Sequence, residues 1–126
     1  MKTFRELAVW QQAHHLVMAI YGLTQAFPSE ERYGLVSQMR RASVSVAANI
    51  VEGHRRSGRR EFLQFLEVAD ASLEELKYFL LLANDLRYGT HSATAQIETQ
   101  TEAVGRMLHA LKSHVRREVR HVTANV

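Results

Sequence analysis

Cysteine is absent from the 126 residues, which excludes disulfides, thiolate metal sites, iron–sulfur ligation and cysteine nucleophiles and fits a reducing compartment. One proline and six glycines are too few turn residues for a many-stranded β fold. No apolar run approaches the roughly 20 residues that a bilayer crossing needs. The longest is Tyr78-Phe79-Leu80-Leu81-Leu82-Ala83. The opening residues MKTFRELAVW place acid and polar side chains where a secretory leader needs unbroken apolar sequence, so a cytoplasmic location with no membrane contact is expected. Gly-x-Gly-x-x-Gly, Walker and Gly-x-Ser-x-Gly patterns are missing, and nothing points to an enzyme. No Cys-x-x-Cys-His tract is present for covalent haem. A di-iron bundle needs two Glu-x-x-His pairs and two further glutamates, whereas this chain has one pair, Glu118 with His121. His14 and His109 fall beside apolar seams, where a lone histidine is more often a hydrogen-bonded packing residue than a ligand. No metal and no cofactor are expected.

What is present is helical periodicity. Apolar residues make up 46% and charged residues 23%, the balance of a globular chain, and the length suits one domain burying about two-thirds of its unfolded surface. Between residues 4 and 27, Trp10, Ala13, Val17, Ile20, Thr24 and Phe27 alternate spacings of three and four, the seam of a bundle helix. Pro28 ends that run. A second helix over 34–53 carries Leu35, Met39, Ala42, Val46 and Asn49, with Gly53 as a left-handed C-terminal stop. Ser57 is a candidate N-cap for a third helix over 58–88, about 45 Å long at the usual rise, with the seam Phe62, Phe65, Ala69, Leu73, Leu76, Leu80 and Ala83. The fourth, over 92–121, shows Ile97, Thr101, Val104, Leu108, Leu111, Val115 and Val119, and Thr123 to Val126 are expected to fray. Four long amphipathic helices with short loops predict an all-α, single up-down-up-down antiparallel four-helix bundle.

Polar residues interrupt the second helix. Ser45 and Asn49 lie mid-helix, Asn49 on the seam, and must find partners that help to fix register; Ser72 and Glu75 are suitable by type. A polar pocket between helices is the functional alternative.

Charge is segregated along the chain. Residues 1–33 are neutral overall, 34–60 carry +5, 61–90 carry −4 and 91–126 carry +2. Arg55, Arg56, Arg59 and Arg60 crowd one turn, and guanidinium forks suit phosphate. Arg40 and Arg41 are weaker candidates. So are Lys112, Arg116, Arg117 and Arg120, expected at the opposite end of the bundle from the four-arginine turn. The competing reading is solubility, or pairing with the acidic third helix of a neighbouring subunit. No aromatic is interleaved in the arginine turn, so base stacking is not indicated there. Surplus apolar lines, Val9, Leu16 and Leu23 on the first helix, Val44 and Val51 on the second, and Phe79, Leu82 and Leu86 on the third, predict a homo-oligomer interface.

Particular residues also resemble a known family. They are Phe4, Leu7, Val9-Trp10-Gln11, Ala13, Tyr21, Phe27-Pro28, Glu31, Tyr33-Gly34-Leu35 and Gln38, then a dense block of Arg40-Arg41-Ala42-Ser43, Ser45-Val46, Asn49-Ile50 and Glu52-Gly53. Phe65-Leu66, Ala69, Ser72, Glu74-Glu75, Met107-Leu108 and Leu111 continue it. Over about residues 4–115 the chain resembles the four-helix-bundle proteins first noticed as 23S rRNA intervening-sequence proteins. It departs from them at Ala47, Val51 and Ala71, where the family often has proline, alanine and glycine. The resemblance implies a bundle that assembles as a homopentameric ring. The accessory protein of diversity-generating retroelements looks like a distant relative, one that binds nucleic acid and a reverse transcriptase. An rRNA or other nucleic-acid partner is thereby expected, with a scaffold ring that recruits a partner protein as the alternative.

Overall fold

The computed structural model describes residues 3–124. Its elements are a 3₁₀ turn at Phe4–Glu6, α1 at Ala8–Thr24, a 3₁₀ turn at Ser29–Glu31, α2 at Leu35–Arg55, α3 at Arg59–Asp85 and α4 at His91–Ala124. There is no strand among the described residues. Each helix packs on the next and α4 returns to α1, while the diagonal pairs stay apart, so four antiparallel helices enclose one core. Leu16, Ile20, Met39, Ile50, Leu66, Leu73, Leu76, Leu80 and Leu108 are fully buried in it.

Helix boundaries follow from identifiable residues. Pro28 cannot continue α1, and the chain leaves the helix at Thr24, whose hydroxyl donates back to the Ile20 carbonyl at 2.7 Å. The α3–α4 turn needs two left-handed residues, Arg87 at φ 63° and Gly89 at φ 73°. Gly89 also lies against Leu23, where an added Cβ would meet Cδ1 at 2.9 Å. Thr90 then caps α4, its hydroxyl oxygen accepting from the Ala93 N–H at 3.1 Å. The two turns at this end are tied together. The Tyr88 hydroxyl donates to Glu31 Oε2 at 2.9 Å, and that hydrogen bond, with some burial and carboxylate charge, raises the Tyr88 pKa.

Several sequence expectations are corrected. Gly53 does not stop α2 in a left-handed conformation; it lies buried inside the helix, which runs on to Arg55. It is a contact point, since an added Cβ would stand 2.8 Å from Phe62 Cδ1 and from Phe65 Cβ. Gly58, not Ser57, occupies the N-cap position of α3, with no side-chain cap. α4 is still helical at Thr123 and Ala124, and the expected fraying at Asn125 and Val126 lies outside the described residues.

The surplus apolar lines need the largest correction. Val9, Leu16 and Leu23 are buried in the core together with Ala13 and Ile20, so the two lines read on the first helix are one inward arc. Phe79 is likewise buried, and Leu82 packs half-buried against the core. Val51 is half-buried, leaving Val44 and Leu86 as exposed members of that set. A bundle helix fills an apolar arc wider than a strict coiled-coil seam, and that width was misread as surplus. Apolar exposure does exist, at Met18, Val68, Tyr78 and Leu81 as well.

Candidate nucleic-acid interface

The up-down-up-down path decides where the cations meet. α2 descends to the same end that α3 leaves, and α4 descends to that end again. The α2–α3 turn and the end of α4 are therefore neighbours, contrary to the opposite placement expected from sequence. Arg59 Nη1 lies 3.7 Å from Glu118 Oε1, and Arg116 Nη2 donates to Glu67 Oε1 at 3.1 Å, which fixes the juxtaposition. The basic runs 55–60 and 112–120 converge on one end of the bundle.

Within that end the cations divide by environment. Arg56 pairs with Glu52 at 3.2 Å across one helical turn and lies over the Phe65 ring at 5.1 Å. Arg59, besides Glu118, lies over the Phe62 ring at 5.3 Å. Phe62 is buried and Phe65 half-buried, so these rings pack under the arginines and offer no free face to a base. Glu118 Oε1 is shielded from solvent, accepts no hydrogen bond among the described residues, and lies between Arg59 and His114 Nε2, the latter at 3.6 Å. Arg55, Arg60, Arg117 and Arg120 are exposed and carry no ion pair among the described residues. They are the guanidinium groups available to an external anion.

Two candidates leave the list for a structural reason. Lys112 is only 8% exposed, its Nζ 2.8 Å from Asp70 Oδ2 and 2.9 Å from Glu67 Oε1. Burial lowers its pKa, but hydrogen bonds to Asp70 and Glu67 and their charge outweigh it, and the net shift is upward. Arg116 shares Glu67. Both cations lock α4 onto α3. Glu67 and Asp70 were missed in the sequence, although Lys112 falls where the α4 seam requires an apolar residue, the available sign of a buried ion pair.

The polar residues of α2 form a chain of hydrogen bonds at the α2–α3 contact. Ser45 Oγ and Ser72 Oγ are 2.8 Å apart, and Asn49 Nδ2 donates to the Ser45 carbonyl at 2.8 Å and to its hydroxyl at 3.1 Å. Glu75 is exposed, lines a shallow groove with Arg41 and Ser72, and takes no part in that chain among the described residues. Arg40 is held away from the cationic end, its Nε donating to Thr24 Oγ1 at 2.9 Å and its guanidinium 4.5 Å over the Tyr21 ring. No cluster of three or more metal-ligating side chains occurs among the described residues.

A bundle of four helices with a cationic end is the class these features define. The chain belongs to the 23S rRNA-intervening sequence protein family, whose sequence profile matches residues 5–110. No curated protein matches it. Among solved structures it is similar to a protein of unknown function from the S23 ribosomal protein family of Bacteroides thetaiotaomicron. The two share 22% identity over 83% of this chain and 95% of that one, with a TM-score of 0.77, a likeness of fold.

Proposed function

We propose that this chain is a non-enzymatic, cytoplasmic nucleic-acid-binding protein that holds the phosphates of a structured RNA or a duplex DNA against the cationic end of its bundle. The supporting observation is the meeting of two basic runs at one end, with Arg55, Arg60, Arg117 and Arg120 left without carboxylate partners among the described residues. Guanidinium groups bind phosphate oxygens bidentately and stay charged at any physiological pH. The name of the family, an rRNA intervening sequence, is consistent with an RNA partner. The protein acts as a homo-oligomer, the homopentamer implied by the family resemblance, and the exposed apolar side chains Met18, Val68, Tyr78 and Leu81 favour such assembly. A ring multiplies weak contacts into useful avidity. The same exposed residues of α3 support a second reading, a scaffold that recruits a partner protein.

The test is fluorescence anisotropy with a structured rRNA fragment and a duplex DNA across salt, using wild type and the Arg55/Arg60/Arg117/Arg120→Gln variant, with oligomer mass followed by light scattering. If each arginine meets one phosphate, the log–log salt slope should fall by about 3.6, which at 200 mM against 50 mM salt is a difference of about 150-fold. Wild type that stays oligomeric yet binds neither probe at low salt refutes the nucleic-acid reading and leaves the scaffold.

A further inference from the structure

The α1–α2 side of the bundle carries an open groove of about 640 Å³ far from the cationic end, lined by Tyr21, Arg32, Tyr33, Val36, Arg40, Arg41 and their neighbours. Three guanidinium groups and two tyrosines line it, and no carboxylate does. The groups differ in contacts and exposure. Arg40 is fixed, its Nε on Thr24 Oγ1 at 2.9 Å and its plane 4.5 Å from the Tyr21 centroid. Tyr33 is 89% exposed, and Arg32 and Arg41 are exposed with no ion pair among the described residues. An exposed ring flanked by arginines without ion pairs offers a flat apolar face beside positive charge, which suits an occupant with a flat face and negative charge.

We infer that this groove binds an unpaired stretch of nucleic acid, with a base stacked on Tyr33 and phosphates held by Arg32 and Arg41. Base–aromatic stacking beside a cationic groove is the general chemistry of single-strand binding, and it needs no base-specific hydrogen bond. The duplex-facing end lacks it, because the rings there are packed beneath their arginines. Arg41, Ala48 and Arg55 are spaced by seven on α2, share one outer face and are exposed. Arg41 and Arg55 are thus roughly 21 Å apart along the helix, so one outer face leads from the groove to the cationic end. A single strand leaving a helical segment held at that end needs to cross only this face, with Arg55 at its start and Arg41 at the groove, to reach Tyr33. The inference rests on the reading of the chain as a nucleic-acid binder but assigns a different surface and a different form of the ligand.

The absence of cysteine makes the test clean. A short single-stranded RNA carrying 2-aminopurine and a blunt duplex of the same sequence are titrated against wild type, Tyr33→Ala and Arg41→Ala. Wild type should quench the 2-aminopurine on binding. Tyr33→Ala should remove the quench and weaken single-strand affinity by about 5- to 150-fold, while duplex affinity stays within about twofold. Arg41→Ala should weaken single-strand binding and lower its salt slope by about 0.7. Tyr33→Ala binding the single strand like wild type overturns the inference. So does wild type that binds duplex but no single strand, an outcome that leaves the cationic end standing. Failure of both probes refutes both surfaces. A Tyr33→Cys protein with a bulky maleimide gives the third arm. Unchanged oligomer mass is expected, and a fall in mass would mean that a second copy of the chain covers the groove, which also overturns the inference.

Discussion

Gly53→Ala sets two effects of similar size against each other. Gly53 is buried inside α2, where alanine improves helix propensity by about 1 kcal/mol. Against that, the added methyl would stand 2.8 Å from Phe62 Cδ1 and 2.8 Å from Phe65 Cβ. The Phe62 ring can rotate, but a Cβ moves only with its backbone, so α2 and α3 must separate locally. Overpacking of that kind costs about 1–3 kcal/mol, and the clash with Phe65 places this site towards the upper part of the range. The net expectation is a loss of about 1–2 kcal/mol, or a Tm lower by roughly 3–8 °C for a domain of this size. Two internal controls have the opposite sign. Gly22 in α1 has nothing within 4 Å of an added Cβ, and Gly105 in α4 would meet Leu73 Cδ2 at an ordinary 3.5 Å. Alanine at either should stabilise by about 0.5–1 kcal/mol. Urea and thermal unfolding followed by circular dichroism at one protein concentration read all three. Gly53→Ala as stable as wild type would refute the close approach of α2 and α3, and with it the local geometry that sets the Arg55–Arg60 turn.

The remaining expectations concern polar contacts between helices. Lys112→Met should cost about 1–2 kcal/mol in urea unfolding, less than the 3–5 kcal/mol of a fully buried pair, because the abandoned Asp70 and Glu67 side chains are 37% and 52% exposed and can recover water. The folded-state pKa of Lys112 is raised above 10.5, so its contribution is complete below that pH and lost as pH rises through the folded value. The gap between wild type and Lys112→Met should therefore close in strongly alkaline buffer, and a gap independent of pH would refute the ion pair. Ser45→Ala and Ser72→Ala, combined in a double-mutant cycle, should show a coupling of about 0.5–1.5 kcal/mol from their 2.8 Å hydrogen bond. Additive effects of the two substitutions would show that the hydroxyls act separately.

Much of the fold was legible because helical period, Pro28 and the short loops all favour the same bundle. The inward faces of α3 and α4 follow most of their expected seams, with Leu73, Leu76, Leu80, Val104 and Leu108 fully buried, but at Phe65 and Leu111, which are half-buried, the neighbours Leu66 and Lys112 take the inward place. What failed was local. Gly53 carries the same signal whether it stops a helix or lets a neighbouring helix approach, and only the position of Phe65 on α3 decides between them. Val9, Leu16 and Leu23 looked like surplus because a one-dimensional seam cannot say how wide an arc its three neighbours will cover. Lys112 looked like surface charge because its partners, Asp70 and Glu67, lie more than forty positions away in sequence. Arg59 beside Glu118 was hidden for the same reason, because that pairing exists only once α3 and α4 are laid side by side, whereas Tyr33 and Arg41 are near in sequence and their shared groove shows only once the turn before α2 is folded.

The cationic end follows from chain path more than from charge content. In a bundle of alternating helices every second turn falls at the same end, so the α2–α3 turn must meet the C-terminal part of α4 whatever the residues are. A cluster in the turn and a run near the end of the last helix therefore act as one patch, although some sixty residues separate them in sequence. The same path puts the α1–α2 and α3–α4 turns at the other end, where Tyr88 and Glu31 join them and Arg32 and Tyr33 open the groove. The acidic residues Glu67 and Asp70 lie between, each neutralised by a cation of α4. Lys112 and Arg116 are consumed in holding α4 to α3, and the arginines left over, Arg55, Arg60, Arg117 and Arg120, gather where the chain turns or runs out. That division lets a protein with a net charge of only +3 concentrate positive charge at one end, because the cations left there are the ones that α3 carboxylates do not take up.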